Sequence, residues 1–284
     1  MIIATLIFIV TAPLLILYAS GYRLDKTFSF ATTGGINISA PFSGVEIYLG
    51  TELVRTTSIF QKSVFVQNLK PGSYTVKVRK DSYQDWNKTL LVFPETVTDA
   101  HSFILPTNVV VKEIPPKLLL QGGGQGTATS TRSIDNPDFL EVVELFKPVR
   151  KVQSIRTAST TKMATSTDIE KEFRKLVVER VDGKLRITWA GNIESKPSYF
   201  CQNEDCKSEI FITPNSELKS FDFFPGRGDL IIMSLVDGIY VSEIDDRSAQ
   251  NIQKLYSGEN VDFRIQGGDT IFLQKGTKYY SVSL

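Results

Sequence analysis

The sequence predicts a mainly β protein with an N-terminal transmembrane helix, a small β-sandwich, a linker and a C-terminal antiparallel β domain. Three observations support this fold class. Residues 1–22 carry no charged side chain, short segments of alternating polar and apolar residues recur from Gly34 onward, and 11% of the chain is aromatic. Alternation with a period of two is typical of strands that bury one face.

Residues 1–22 form the predicted transmembrane helix or signal anchor. A bilayer core requires about 20 predominantly apolar residues in a helix, and this run has no polar face. Pro13 lies within it, which membrane helices tolerate. One alternative is a cleaved signal peptide, because Ala19-Ser20-Gly21 provides small residues for cleavage. A soluble core helix is the other.

Two features bear on orientation, and they conflict. Arg23 and Lys26 follow the helix, so the positive-inside rule alone would place the bulk of the chain in the cytoplasm. Cys201 and Cys206 are separated by four residues, which suits a small disulfide-closed loop. Two free thiols are the alternative, and one C-x4-C pair cannot complete a zinc site. Since disulfides form in oxidising compartments, we predict a single-pass protein of the cell membrane with the bulk of the chain extracytoplasmic.

Residues 34–106 predict a small antiparallel β-sandwich. Strand-like segments recur about every ten residues with turn residues between them. Leu69-Lys70-Pro71-Gly72 is a turn with Pro and Gly in favourable positions. Tyr74 to Arg79 then alternates apolar and polar residues without a break.

The stretch LKPGSYTVKVRKDSYQDW, residues 69–86, resembles the PEGA domain, which has the pattern L-x-P-G-x-Y-x-V-x-V-x-K-x-G-Y. There are two departures: the namesake tetrapeptide is Pro41-Phe42-Ser43-Gly44, and Ser82 replaces the glycine before Tyr83. The resemblance implies an extracytoplasmic sandwich module of bacterial envelope proteins, usually without catalytic residues. The whole arrangement is similar to single-span PEGA proteins with C-terminal propeller-like repeats.

Residues 107–172 predict a low-complexity linker that contains a short helix. Two tracts, 121–133 and 154–167, are rich in Ser, Thr, Gly and Gln, and such tracts cannot bury a core. Between them, Asn136-Pro137-Asp138 is typical of a helix start, and the helix would run to Phe146. Its apolar residues either dock on a neighbouring domain or belong to a transient helix.

Residues 173–284 predict the C-terminal β domain. Asp182-Gly183 between two strand-like segments indicates a type I′ hairpin. Segments 221–232 and 261–272 are weakly alike and about 40 residues apart, a spacing that suits propeller blades. The domain is too short for the four blades of a closed propeller. We therefore expect an incomplete propeller, open, sandwich-like or completed by a second copy.

The sequence offers little for catalysis. Lys and Arg number 32 against 31 Asp and Glu, so no strong field attracts nucleic acid. The chain has one histidine, His101, and no Gly-x-Ser-x-Gly motif accompanies it. Its Gly-rich run at 122–126 lacks the ending of a phosphate loop. We predict that the protein is not an enzyme and has no catalytic, cofactor-binding or metal-binding residues.

Tyr83 and Trp86 are the candidate ligand contacts, because the turn Lys80-Asp81-Ser82 precedes them. The alternative is that both pack in the core or on a sheet face. The predicted function is a non-catalytic, envelope-anchored binding or scaffolding protein. Its partners would be the membrane and either cell-wall glycan or a surface protein. A ligand-sensing ectodomain is the alternative, and a glycan-acting enzyme is less favoured.

Overall fold

The computed structural model describes residues 2–19, 22–24, 30–116, 139–147, 155–157, 175–203, 205–267 and 269–283. Most of the predicted linker, 107–172, lies outside these ranges. The described part of the chain is mainly β, as predicted.

The elements up to residue 107 are α1 (Ile2–Ala19), β1 (Tyr22–Leu24), β2 (Phe30–Thr32), β3 (Gly34–Ser39), β4 (Glu46–Leu49), β5 (Glu52–Thr56), β6 (Ser63–Leu69), β7 (Gly72–Arg79), β8 (Trp86–Val92) and β9 (Val97–His101). The elements after it are β10 (Val110–Ile114), α2 (Phe139–Leu145), β11 (Ile155–Thr157), β12 (Leu176–Val181), β13 (Lys184–Trp189), the 3-10 helices η1 (Ile193–Ser195) and η2 (Ser198–Phe200), β14 (Cys201–Gln202), β15 (Asp205–Cys206), β16 (Glu209–Ile212), β17 (Leu218–Phe224), β18 (Arg227–Leu235), β19 (Gly238–Glu243), β20 (Ile252–Ser257), β21 (Val261–Gln266), β22 (Thr270–Lys275) and β23 (Lys278–Ser283).

The N-terminal helix α1 is long and apolar enough to cross a membrane. It has 18 residues with a mean hydropathy of 2.5, and none of them is buried. Arg23 ties its last turn to β1: Nη1 donates hydrogen bonds to the carbonyl oxygens of Tyr18 (2.7 Å) and Tyr22 (2.9 Å). Carbonyl groups at a helix C-terminus lack partners within the helix, and a cation there is favourable.

The chain divides into two compact units. The first unit contains Met1–Thr107, Thr188–Phe211 and Glu243–Gln253. The second contains Asn108–Ile187, Ile212–Ser242 and Lys254–Leu284. The sequence patterns placed Thr188–Phe211 and Glu243–Gln253 in the C-terminal domain. Local patterns therefore did not predict that these two segments belong to the first unit.

The first unit contains a β-sandwich. One sheet has the strand order β6-β3-β9 and the other has the order β5-β4-β7-β8. β3 pairs antiparallel with β6 but parallel with β9, so the first sheet is mixed, where an antiparallel sandwich was expected. Both sheets contribute to the core, whose buried residues include Ile36, Ile38, Val45, Ile47, Val64, Val76, Val78 and Leu90.

The second unit contains a sheet that unites distant parts of the sequence. Its strand order is β10-β23-β22-β21. β10 lies in the range predicted as a linker, and it pairs antiparallel with the C-terminal strand from Val110↔Ser283 to Ile114↔Tyr279. Composition around residue 110 gave no sign of this long-range pairing.

The predicted short helix is confirmed as α2, and it docks within the second unit. Its Val142 is fully buried in a cluster with Ile114, Phe272 and Tyr279. The Phe139 ring meets the Tyr279 ring edge-on, with centroids 5.5 Å apart. Of the two interpretations of this helix, docking is therefore the one that the structure supports.

The hairpins of the second half follow the turn residues. Asp182 (φ 49°) and Gly183 (φ 77°) both have positive φ, as a type I′ turn requires. β17 pairs with β18 and β21 with β22, so the two segments that looked alike are both antiparallel pairs. The remaining strand orders are β11-β12-β13-β16 and β17-β18-β19-β20.

Candidate ligand site on the first unit

The two predicted ligand contacts do not form an exposed platform. Trp86 begins β8 and is 0% exposed, and its Nε1 donates a hydrogen bond to Glu243 Oε2 at 2.8 Å. The prediction that Trp86 contacts a ligand is therefore wrong, because no solvent molecule can reach its ring. Tyr83 is half-buried and packs on Phe42, with ring centroids 5.0 Å apart.

β8 carries a lysine on its buried face. Trp86, Lys88, Leu90 and Val92 are buried in alternation along the strand. The Lys88 side chain is 0% exposed, and its Nζ lies 2.6 Å from Glu243 Oε1. It also donates to the Asp245 carbonyl oxygen at 2.6 Å. A buried charge requires such partners, because desolvating it alone costs several kcal/mol.

Arg247 completes a neutral set of two cations and two carboxylates. Its Nε and Nη2 donate to the two carboxylate oxygens of Asp245 at 3.0 and 2.8 Å. Nη2 also donates to the Asp99 carbonyl oxygen on β9 at 2.6 Å. Burial raises the pKa of Glu243, and the charge of Lys88 opposes that rise.

We call Glu243–Gln253 the edge segment, because it covers the outer edge of β8, the last strand in its sheet. The Asn251 side chain makes the hydrogen bonds that a neighbouring strand would make. Its Oδ1 accepts from the Asn87 N–H (3.1 Å), and its Nδ2 donates to the Asn87 carbonyl (2.8 Å). Ser248 Oγ accepts from the Thr89 N–H at 3.1 Å. The segment therefore completes backbone hydrogen bonds that an edge strand would otherwise leave open.

The disulfide loop, Cys201–Cys206, lies in the first unit. The two cysteines are directly opposite each other across the β14–β15 ladder. Their sulfur atoms are bonded at 2.03 Å, and their Cα atoms are 4.0 Å apart. Within the loop, Asn203 has a positive φ of 57°.

A cavity of about 360 Å³ lies beside the disulfide loop. The exposed face of β8 forms one wall, and β9 and the turn before it form a second. The disulfide loop, the edge segment, Ser73 of β7 and Ser198 of η2 supply the rest. The lining residues are Ser73, Thr89, Leu91, Phe93, Thr96, Val97, Thr98, Asp99, Ser198, Cys201, Gln202, Asn203, Arg247 and Ser248.

The lining combines many neutral polar groups with a small apolar patch. Six of its side chains are hydroxyls and two are amides. The apolar patch consists of Leu91 (42% exposed), Val97 (50% exposed) and the half-buried Phe93. Among the lining residues that the structure describes, only Asp99 and Arg247 are ionisable.

His101 is exposed at the end of β9. Within the described ranges, no group of three or more His, Cys, Asp or Glu residues is arranged to hold a metal ion. Asp222 and Asp262 each accept a hydrogen bond from the backbone N–H of the next residue at 2.9 Å. These contacts are local and structural.

Sequence reasoning missed the cavity and the buried ion set. The cavity could not be found, because its walls come from segments more than a hundred residues apart. The ion set left one signal: Lys88 is in phase with Trp86 and Leu90 in an alternating strand. A lysine on the apolar face of a strand predicts a remote acidic partner, although not which one.

No protein-family model matches the sequence, and no curated protein matches it significantly. The PEGA resemblance therefore depends on the residues of this chain alone.

Proposed function

We propose that the chain is a non-catalytic, membrane-anchored protein of the bacterial cell envelope that displays a PEGA-type sandwich outside the membrane for binding or scaffolding. Helix α1 carries the proposal. It has 18 consecutive residues without a charge, none of them buried, and leaving apolar surface in water costs about 25 cal/mol per Å². A lipid bilayer removes that cost.

The disulfide supports the extracytoplasmic orientation. Disulfides persist in oxidising compartments and are rare in the cytosol. Both cysteines of the chain are used in this one bond. We give this argument more weight than the two positive charges of Arg23 and Lys26 that follow the helix.

Local geometry supports the PEGA interpretation. Tyr74 OH donates to the Lys70 carbonyl oxygen at 3.0 Å across the Pro71-Gly72 turn, which gives a physical reason for the Pro-Gly-x-Tyr spacing. Ser82 occupies the position of the family's glycine with φ 65°, a conformation that favours glycine. The backbone therefore keeps the conformation even where the residue departs from the pattern.

The sheets of the second half support the propeller-like interpretation. Three sheets have four strands each, the number in a propeller blade. In one of them the C-terminal strand pairs with β10 from much earlier in the sequence. We interpret the three sheets as blades of an incomplete propeller.

Anchoring is tested by fractionation of bacterial cells that express the full-length chain and a variant lacking residues 2–19. We expect the full-length chain in the carbonate-resistant membrane fraction and the shortened chain in the soluble fraction. A matched variant, Ile9→Arg with Leu6→Arg, should also leave the membrane, because each central arginine costs about 2.5–3.5 kcal/mol. Full-length chain in the aqueous fraction would contradict the proposal.

Orientation is tested by adding protease to spheroplasts, whose outer layers have been removed. Cleavage of the chain before lysis is the expected result; protection until lysis would contradict the extracytoplasmic orientation. The non-catalytic part is tested with His101→Ala. A purified chain that hydrolysed a cell-wall substrate and lost this activity on the substitution would overturn it.

A further inference from the structure

We propose that the cavity beside the disulfide loop binds a neutral saccharide of one or two rings. This inference rests on the proposed function, since it names the ligand of the displayed sandwich. The cavity volume of about 360 Å³ lies near the lower end of the roughly 300–1,000 Å³ that small-molecule sites span. A ligand of that size is a small molecule and not a folded partner.

The polar lining offers donors and acceptors together. Ser248 Oγ accepts from the Thr89 N–H, so its own proton remains to be donated. Thr98 Oγ1 donates to the Leu91 carbonyl at 2.7 Å, so its lone pairs remain to accept. The amides of Gln202 and Asn203 do both. The ligand that matches such a lining has groups that also do both, which is the property of sugar hydroxyls.

The charges of the cavity disfavour an anionic ligand. Arg247 is paired with Asp245 at 2.8 Å, so its positive charge is already compensated. The Asp99 carboxylate accepts from Asn37 Nδ2 at 2.9 Å. An anion would have to lose its hydration without an unpaired cation to compensate, and the Asp99 carboxylate, whose partner is a neutral amide, would repel it. Arg247 Nη1, which these contacts do not use, remains a donor for a hydroxyl or carbonyl oxygen.

The apolar patch suits the C–H face of a sugar ring. Leu91, Val97 and Phe93 form one side of an otherwise polar cavity, and an aromatic ring can pack against such a face. A peptide that bound by adding a strand would require open backbone groups at β8. Asn251 and Ser248 already occupy those of Asn87 and Thr89.

The disulfide positions part of the site. Gln202 and Asn203 lie between the bonded cysteines, so the bond restricts the conformations of both amides. We therefore expect the Cys201→Ser/Cys206→Ser variant to bind less tightly while keeping the remaining contacts. The conservative variant Asn203→Gly tolerates the positive φ but lacks the amide, so it isolates the side chain's contribution.

The test uses the full-length chain in micelles of a detergent without a sugar headgroup. Titration calorimetry compares cellobiose and N,N′-diacetylchitobiose with galacturonic acid and tetra-alanine. We expect saturable binding of at least one neutral disaccharide, and weaker binding of the acid and the peptide. Leu91→Arg should reduce the affinity at least tenfold, because a long charged side chain fills the cavity. Phe93→Ala and Asn203→Gly should each reduce it about two- to tenfold.

The matched control is Leu53→Arg, on β5 of the same sheet and 48% exposed. It should leave the affinity within twofold, since Leu53 does not line the cavity. The inference is overturned if neither disaccharide binds, if only the acid or the peptide binds, or if the two arginine variants behave alike. Membrane fractionation of the same chain distinguishes the two proposals. A chain that partitions into the membrane but binds no sugar would contradict the saccharide proposal and leave the anchoring proposal intact.

Discussion

The two edge strands of one sheet are protected in different ways. β5 is short, largely exposed and carries the charged residues Glu52 and Arg55. β8 is longer, buries every second residue, and has its outer edge covered by the edge segment. Unprotected edges invite pairing with other chains. One edge is therefore protected by its own composition, and the other only by residues more than 150 positions later in the chain.

The two edge strands also differ in how water reaches their charged residues. At β5, Arg55 Nη1 donates to Gln61 Oε1 at 2.8 Å in an exposed contact that water can replace. At β8, Lys88 is sealed from water and depends on Glu243 and Asp245. Exposed pairs contribute about 0–1 kcal/mol, whereas a buried charge that loses its partner costs about 3–5 kcal/mol. Substitutions at the two edges should therefore differ greatly in effect.

The largest effect is expected for Lys88→Met. The apolar stem is kept, but Glu243 and Asp245 lose a buried cation, so the free energy of unfolding should fall by about 3–5 kcal/mol. Urea denaturation followed by tryptophan fluorescence measures it. Both tryptophans of the chain, Trp86 and Trp189, belong to the first unit, so the signal reports on that unit.

The matched controls for this variant are Arg55→Met and the double variant Lys88→Met/Glu243→Met. Arg55→Met should cost no more than about 0.5 kcal/mol, as is usual for surface substitutions. The double variant should recover much of the loss, because apolar residues can replace a buried ion pair. Equal losses at the two edges would show that the ion set does not hold the edge segment in place.

The contrast also explains what the sequence could predict. Local patterns sufficed for α1, for the alternation of β7 and for the hairpin at Asp182-Gly183, because each depends on neighbouring residues. The parallel β3–β9 pairing, the docking of β10 on β23 and the cover on β8 depend on distant partners. A local pattern does not specify which distant segment will pair with a strand or cover its edge.

The candidate site likewise has features that the local sequence predicts and features that it does not. The Cys201/Cys206 pair could be predicted from spacing alone. The prediction that Trp86 contacts a ligand was wrong. The local sequence around an aromatic residue after a turn does not show whether a remote residue such as Glu243 covers it. The cavity combines β8, the disulfide loop and the edge segment, so it exists only once the first unit has folded.

A smaller effect is expected for Asn251→Ala. The substitution removes two hydrogen bonds to Asn87 and one to Glu243 Oε1 at 2.8 Å. Because water can reach Asn87, the loss should be about 1–2 kcal/mol. Hydrogen exchange should speed up at the Asn87 amide, while the amides within β7 stay protected. Unchanged exchange at Asn87 would mean that the side chain does not act as a substitute strand.

The smallest effect on stability, but a visible one on association, is expected for Arg55→Val. Valine favours the strand conformation, so the free energy of unfolding should change by less than about 0.5 kcal/mol. However, the variant removes a charge from an exposed edge whose neighbour Leu53 is already 48% exposed, and charged side chains discourage edge-to-edge pairing. Analytical ultracentrifugation in micelles should show concentration-dependent self-association that Arg55→Lys does not show. A strictly monomeric Arg55→Val chain would indicate that the short length of β5, and not its charge, protects this edge.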